Sequence, residues 1–159
     1  MEEYTKVMQE AIIAFKTADH LMYVSYPLLK DNKLLLALVY NLHISGFKAV
    51  YAFLLYEKLY KRLHLLPSDF QSRIDLFESH LMGKIDIRPE VCKIIKNLKS
   101  LVDQHQRSPI EFSRKDAYVL CNEDYSRLTK LTPELLRTYL SSVREFLSLL
   151  SLYMREKHV

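Results

Sequence analysis

Residues 34–55 read LLLALVYNLHISGFKAVYAFLL, an unusually apolar stretch of the chain. It is apolar on nearly every side of a helix, which is typical of a central helix that its neighbours contact all round. A length of about 20 residues would also suit a membrane span. Lys48 lies in the middle of it, however, and a charged lysine is expensive at the centre of a bilayer. The sequence therefore favours the central helix of a soluble domain, over about residues 32–63, with no membrane partner.

Amphipathic patterns predict further helices on both sides of this segment, because apolar residues recur there at three- and four-residue steps. Ser68, with Gln71 three residues later, forms a capping box and predicts a helix start. Thr132 before a proline predicts another. Asp31 or Asn32 is expected to cap the central helix. The predicted helices cover about residues 4–25, 32–63, 68–83, 89–105 and 132 onwards.

Residues 107–131 break the helical pattern. Two segments within them, 110–113 and 117–120, are predicted to be extended and to form a small hairpin. With only two glycines and five prolines, the chain has too few turn residues for a β-sandwich or a barrel. We therefore predict an all-α fold: an up-and-down four-helix bundle with one additional helix and a long 107–131 loop or small hairpin, in one domain over residues 1–159.

The sequence carries none of the motifs that would identify a familiar enzyme class: no P-loop, no GxGxxG, no HExxH and no GxSxG. Cys92 and Cys121 lie in no CxxC or Cys/His cluster, so we expect no disulfide framework, no metal site and no cofactor. Isolated thiols and an N-terminus without signal-peptide features favour a cytoplasmic location. His43, within the apolar helix, is expected to be a hydrogen-bonded core residue.

One pair of residues has a spacing of chemical interest. Arg73 and His80 are seven residues apart on a predicted helix, which is about two turns, so their side chains lie on one face. An arginine can stabilise the charge of a phosphate transition state, and a histidine can transfer protons. The alternative is that both are ordinary exposed helix residues, with Arg73 paired to Asp69 or Glu78.

These features resemble those of the HEPN superfamily of helical bundles, many of which are ribonucleases with an R-x4–6-H motif. The apolar helix is similar in style to the one in that family, through Asn41-Leu42, Lys48-Ala49, Ala52 and Leu54-Leu55. The resemblance implies a homodimer that binds or cleaves RNA without a metal. It also implies that Arg73 stabilises the phosphate and that His80 acts as the acid or base.

Basic residues of the second half of the chain are candidates for contacts with RNA phosphates. Residues 81–159 hold fourteen Lys or Arg and ten Asp or Glu, whereas residues 1–80 hold nine of each. Excess positive charge hints at an anionic partner, although it also keeps a protein soluble. The candidates are Lys93, Lys96 and Lys99 on one helix and Arg114 and Lys115 in the 107–131 segment.

The alternative function is a non-catalytic protein–protein interaction module that docks a partner through a helical face or through residues 107–131. Gly46 lies in the middle of the apolar helix, where glycine is unfavourable by about 1 kcal/mol relative to alanine. A close helix crossing, a dimer contact or a slight kink would explain it. One side of this helix is therefore a candidate interface.

Overall fold

The structure is a computed structural model that describes residues 2–81 and 84–156. The helices in this part of the chain are α1 (Glu3–His20), α2 (Tyr26–Leu29), α3 (Leu34–Leu59), α4 (Phe70–Leu81), α5 (Glu90–Arg107) and α6 (Pro133–Glu156). A π-helical turn, Leu21–Ser25, joins α1 to α2. The strands are β1 (Glu111–Arg114), β2 (Ala117–Cys121) and β3 (Leu128–Leu131). The predicted helix end near Gly83 lies outside the described residues.

Helix α3 is the central element, as predicted. It packs against α1, α4, α5 and α6. Leu38, Leu42 and Phe53 are among its fully buried side chains, and removing side chains of this kind from water is the main stabilising contribution to a core. By length and composition, α3 is the one described helix that could cross a membrane.

One side of α3 is less covered than the sequence suggests. Leu36, Ile44, Phe47 and Tyr51 are only half-buried, and Tyr40 is 55% exposed. We call these five residues the α3 stripe. The expectation of contacts all round the helix is therefore met only in part. On this side Phe70 and Arg73 of α4 contact Phe47 and Tyr51, whereas Tyr40 is exposed.

Gly46 lies where α3 crosses α5. A Cβ atom placed on Gly46 would lie 3.2 Å from Cγ1 of Ile95, which is tighter than ordinary van der Waals contact. Of the three explanations considered for this glycine, the close helix crossing is the one that the structure supports. The absence of a side chain lets the two backbones approach.

Two of the three predicted helix caps differ from expectation. Asp69, one residue after the predicted Ser68, caps α4 by accepting a hydrogen bond from the Ser72 amide at 2.9 Å. No side chain caps α3. Thr132 is confirmed as the cap of α6, because its Oγ1 accepts a hydrogen bond from the Leu135 amide at 3.2 Å.

The fold is mostly helical, but it is not purely all-α. The three strands form an antiparallel sheet in the order β1-β2-β3, with Phe112 opposite Val119 and Val119 opposite Lys130. The predicted hairpin corresponds to β1 and β2. Strand β3 is missing from the sequence prediction because only one of its residues, Leu131, is buried, so it has no periodic apolar pattern.

Asn32 holds the sheet against the helices. Its Nδ2 amide donates hydrogen bonds to Oγ of Ser113 at 2.9 Å and to the carbonyl oxygens of Arg114 and Ala117 at 2.5 and 3.2 Å. Its Oδ1 accepts one from the Tyr26 hydroxyl at 2.8 Å. Asn32 is 5% exposed, so it is a buried bridge between the start of α3 and the hairpin.

Candidate functional site

A buried carboxylate lies near the C-terminal end of α3. The side chain of Glu57 is fully buried. Its Oε1 accepts hydrogen bonds from the Tyr153 hydroxyl of α6 at 2.9 Å and from Nζ of Lys84, which follows α4, at 3.0 Å. Its Oε2 accepts one from Nε of Arg62 at 2.5 Å. These residues, together with His80, are called the Glu57 cluster below.

The backbone conformation after α3 brings the side chain of Arg62 back to the Glu57 carboxylate. Lys61 adopts a left-handed backbone conformation, with φ of 60°, and the Arg62 amide bonds to the Glu57 carbonyl oxygen at 2.9 Å. The Arg62 guanidinium also lies over two aromatic rings, 5.4 Å from the centroid of Tyr56 and 5.5 Å from that of Tyr60. The cation is therefore held by both an ion pair and cation–π contacts.

The Glu57 carboxylate is ionised in this setting. Burial raises its pKa, but hydrogen bonds from Lys84, Arg62 and Tyr153 outweigh burial and hold that pKa below its ordinary value. The opposite holds for the phenol beside it, since burial and the hydrogen bond to Glu57 raise the pKa of Tyr153 to about 12. Tyr153 is therefore a neutral hydrogen-bond donor at physiological pH.

His80 lies at the edge of this network and is 19% exposed at its side chain. Its Nε2 is 3.3 Å from Oε1 of Glu57 and 3.1 Å from Nζ of Lys84. The ring also has an edge contact with Phe53, at 6.3 Å between centroids. Both of the polar contacts are made by Nε2, and no contact is seen for Nδ1 among the described residues.

Arg73 lies on the same side of α4 as His80, facing α3, but different residues contact it. Its guanidinium is 4.2 Å from the centroid of the Tyr51 ring, and its Nε donates a hydrogen bond to the Pro67 carbonyl oxygen at 2.6 Å. No contact joins it to His80 within the described parts of the chain. Both residues are half-buried, so the alternative of an ordinary exposed surface is wrong for this pair.

The Arg73 pairing considered in that alternative is also not seen with Glu78. That carboxylate instead pairs with Nζ of Lys96 on α5, at 2.6 Å. This ion pair joins α4 to α5. Arg73 does stay near Asp69, because its charge contributes to lowering the pKa of that carboxyl, after the hydrogen bonds from Ser72.

The five basic candidates are distributed over three places. Lys96 and Lys99 line an open groove of about 960 Å³ between the start of α4, the C-terminal half of α5 and the β2–β3 loop. Lys93 is exposed on α5 outside that groove, and Arg114 and Lys115 lie at the β1–β2 turn. Lys99 is paired with Asp103 at 2.7 Å. The groove walls carry both signs of charge, so this is no uniformly basic surface.

His43 differs from its expected hydrogen-bonded state. Its ring lies 6.1 Å from that of Phe47 and 6.0 Å from that of Phe70. Its Nδ1 is buried and has no hydrogen-bond partner among the described residues. Burial, together with the nearby charge of Lys99, lowers the pKa of His43 to about 4. The imidazole is therefore neutral at physiological pH.

Sequence reasoning missed four members of the Glu57 cluster: Glu57, Arg62, Lys84 and Tyr153. One signal was present, because Glu57 is the single carboxylate in α3, within an otherwise apolar helix. A buried ionised group needs partners, so its position alone predicts cations close by. Which cations these are depends on the turn after α3, which supplies Arg62, and on the packing of α3 against α4, which brings Lys84 close.

Comparisons with models of protein families, with curated proteins and with solved structures found no match. Within residues 2–81 and 84–156, no three His, Cys, Asp or Glu side chains come together as a metal ion would require.

Proposed function

We propose that this protein binds and cleaves RNA, and that the Glu57 cluster is its active site, with His80 as the acid and base. The observation that carries the proposal is the position of Nε2 of His80 between a carboxylate oxygen of Glu57 and the ammonium of Lys84. Both neighbours are themselves fixed by further hydrogen bonds. Such support keeps an imidazole in a defined orientation.

This arrangement suits both protonation roles of the histidine. When Nε2 carries the proton it donates to Glu57, and Nδ1 has a free lone pair that can act as a base. Once Nδ1 has taken up a proton the ring is an imidazolium, whose Nε2–H still donates to the ionised Glu57 and whose Nδ1–H can be given to a leaving group. Glu57 thus accepts from Nε2 in both states, which allows one residue to serve as base and then as acid.

The reaction that fits these groups is attack by the RNA 2′-hydroxyl on the adjacent phosphate. His80 removes the hydroxyl proton, a bond forms between the 2′ oxygen and phosphorus, and the bond from phosphorus to the 5′ oxygen breaks. The departing 5′ oxygen takes up the proton now held on Nδ1 of His80, leaving a 2′,3′-cyclic phosphate, a 5′-hydroxyl and a neutral imidazole. Arg62 and Lys84 supply two positive charges against the single negative charge of Glu57, so one remains for the developing phosphate charge.

Arg73 has a separate place in this proposal. It faces Tyr51, at the edge of the α3 stripe, and not the Glu57 cluster of its own chain. In a HEPN-like four-helix bundle that dimerises through this side of α3, Arg73 would bind RNA phosphate at the subunit boundary. Homodimerisation is supported by the half-buried apolar side chains of the stripe.

The test is cleavage of a fluorescent single-stranded RNA by the purified protein in the presence of EDTA. We expect a 2′,3′-cyclic phosphate product and no cleavage of DNA of the same sequence, since DNA lacks the 2′-hydroxyl. His80→Gln should reduce the rate by about 100-fold or more, as loss of a general acid or base does. His64→Ala, at an exposed histidine beyond the end of α3, is the matched control.

Two outcomes would overturn the proposal. Full cleavage by the His80→Gln variant would place the active site elsewhere. Absence of both RNA binding and cleavage by the wild-type protein would favour the second candidate function, a non-catalytic protein interaction module. That candidate is favoured by exposed apolar side chains outside the core, such as Leu28 and Leu29 on α2, which are 79% and 64% exposed.

A further inference from the structure

We infer that the face of the three-stranded sheet turned away from the helices is a platform that binds the bases of single-stranded RNA. This inference deepens the proposed function and rests on it for the identity of the ligand. It concerns a surface far from the Glu57 cluster. The residues that carry it are Phe112, Arg114 and Lys130, which we call the sheet platform.

The two faces of the sheet are separated by the alternation of side chains along each strand. Tyr118, Leu120 and Leu131 belong to the hydrophobic core, so their face is the inner one. Their neighbours in each strand face outwards. The register then places Phe112 and Lys130 on either side of Val119, in a single row across the outer face.

Charge is divided between the two faces. Arg114 and Lys130 are on the outer face, where the strands carry no carboxylate. The one acidic residue of the strands, Glu111, is on the inner side of β1, 2.6 Å from Nδ1 of His105. Exposed cations on strands that carry no carboxylate on the same face attract a phosphate backbone.

An aromatic ring and a guanidinium stack on this outer face. Phe112 is 37% exposed, and the Arg114 guanidinium carbon lies 5.4 Å from the centroid of its ring. Both groups are planar, and unstacked RNA bases stack on aromatic rings and on guanidinium planes alike. A single-stranded nucleic acid uses both the planes and the charges, whereas a duplex keeps its bases stacked internally.

The platform is rigid enough to bind without a large ordering cost. All five residues of the central strand β2 are buried and Val119 has no exposed surface, so the parts of the platform that a ligand can reach are the side chains of Phe112, Arg114 and Lys130 on the two edge strands. The hydrogen bond from Asn32 to the Arg114 carbonyl oxygen fixes the backbone of the stacking arginine. Side chains on a fixed backbone lose less freedom when a ligand binds.

The platform and the Glu57 cluster lie near opposite ends of α3. Asn32 and Glu57 are 25 positions apart in the numbering, and a helix rises by 1.5 Å per residue, so the two places are separated by roughly 37 Å along the axis. A stacked strand at about 3.4 Å per nucleotide spans that distance with about eleven nucleotides. Only an RNA of about this length reaches both sites in one subunit.

The experiment measures binding of fluorescein-labelled single-stranded RNAs of 4 and 16 nucleotides by anisotropy, in the His80→Gln background so that the RNA stays intact. We expect Phe112→Ala to weaken binding of the 16-mer by about 5- to 150-fold, the range for loss of one stacked base. Phe112→Trp should retain binding. Tyr23→Ala is the matched control, because Tyr23 is 52% exposed on the π-helical turn.

The dependence of cleavage on RNA length, and of binding on salt concentration, provides a further test. With active protein, Phe112→Ala should leave cleavage of the 4-mer unchanged and slow that of the 16-mer at limiting substrate. Arg114→Ala and Lys130→Ala should each reduce the salt slope of 16-mer binding by about 0.7. Circular dichroism checks that each variant is folded.

Binding of the 16-mer that is unchanged by Phe112→Ala, or equally weakened by Tyr23→Ala, overturns the platform. If His80→Gln abolishes cleavage in that case, the proposed function stands alone. Conversely, 16-mer binding that depends on Phe112 in a protein that never cleaves RNA supports the platform and overturns the catalytic proposal. Failure of the wild-type protein to bind either RNA overturns both.

Discussion

The Nε2 atom of His80 lies 3.3 Å from Oε1 of Glu57, a carboxylate with no exposed surface. The two residues come from neighbouring helices, α4 and α3, so this contact depends on their packing. Tyr153 brings α6 to the same carboxylate. One side chain thus links three helices, and the same contacts that orient the histidine also hold the helices together.

Glu57→Gln should destabilise the protein by about 1.5–3 kcal/mol, because it weakens the charge-assisted hydrogen bonds to Arg62 and Lys84, whose side chains are about a third exposed. Urea denaturation followed by circular dichroism measures the free energy of unfolding. Glu145→Gln is the control, since its ion pair with Arg88 is exposed and should contribute less than about 1 kcal/mol. A loss no larger than the control's would contradict the network.

Low pH should reduce the folding stability of the wild-type protein, because it protonates the same carboxylate. The pKa of Glu57 is lower in the folded state than its ordinary value of 4.5, so the folded state is favoured while the group is ionised. That stabilisation is present above pH 4.5 and is lost as the pH falls through the folded-state pKa. In a plot of the free energy of unfolding against pH, the decline below pH 4.5 should therefore be less steep for Glu57→Gln than for the wild type. Equal slopes would show that other carboxyl groups dominate the loss of stability in acid.

Protonation of His43 should lower the folding stability over a different pH range. Its pKa is about 4 in the folded state against 6.5 ordinarily, so the unfolded chain binds the proton first. Stability should decline as the pH falls from 6.5 towards 4, by at most about 1.4 kcal/mol per pH unit. His43→Leu removes the titrating group, so its unfolding temperature should change less than that of the wild type between pH 7 and 5. Equal changes would contradict the neutral, buried state.

Gly46 should discriminate side chains by size. Gly46→Ala gains about 1 kcal/mol of helix propensity but adds a contact at 3.2 Å to Ile95, so its net effect should be small. Gly46→Leu cannot fit this crossing and should destabilise by about 1–3 kcal/mol or more. Thermal denaturation measures both. A leucine that is tolerated as well as alanine would mean that the α3–α5 crossing is looser than described.

Asn32→Ala should loosen the sheet. The substitution removes the hydrogen bonds from the Asn32 amide to Ser113 and to the carbonyl oxygens of Arg114 and Ala117, at a cost of about 1–3 kcal/mol. Hydrogen exchange should become faster in β1 and β2 while α3 and α6 stay protected. Asp31→Ala, which removes only an exposed contact to the Lys33 amide, is the neighbouring control. Equal protection of the strands in both variants would contradict the bridge.

The sequence patterns correctly predicted the parts of the fold that are determined by residues close together in the chain. The apolar helix, the Thr132 cap and the β1–β2 hairpin each follow from a short run of residues. The misplaced cap of α4 lies within one residue, because Ser68 and Asp69 are both good caps and only the backbone decides between them. Strand β3 buries a single residue and exists because β2 offers it a partner.

The candidate site required information that no local pattern holds. His80 could be singled out from its spacing to Arg73, but the residues that surround it come from three separate segments. The structure places Arg73 against Tyr51 and Pro67 instead, since two turns of helix separate its surroundings from those of His80. A spacing identifies a common helix face, whereas a site depends on what that face packs against.

The Asn32 bridge has a consequence for the order of folding. Its partners in the hairpin are 81, 82 and 85 positions further along the chain. Closing so long a loop is entropically costly, whereas α1 and α3 are close in sequence and pack against each other along their lengths. We therefore expect the α1–α3 pair to form early and the sheet to dock late. Mutations at Asn32 should then speed unfolding while leaving the folding rate nearly unchanged.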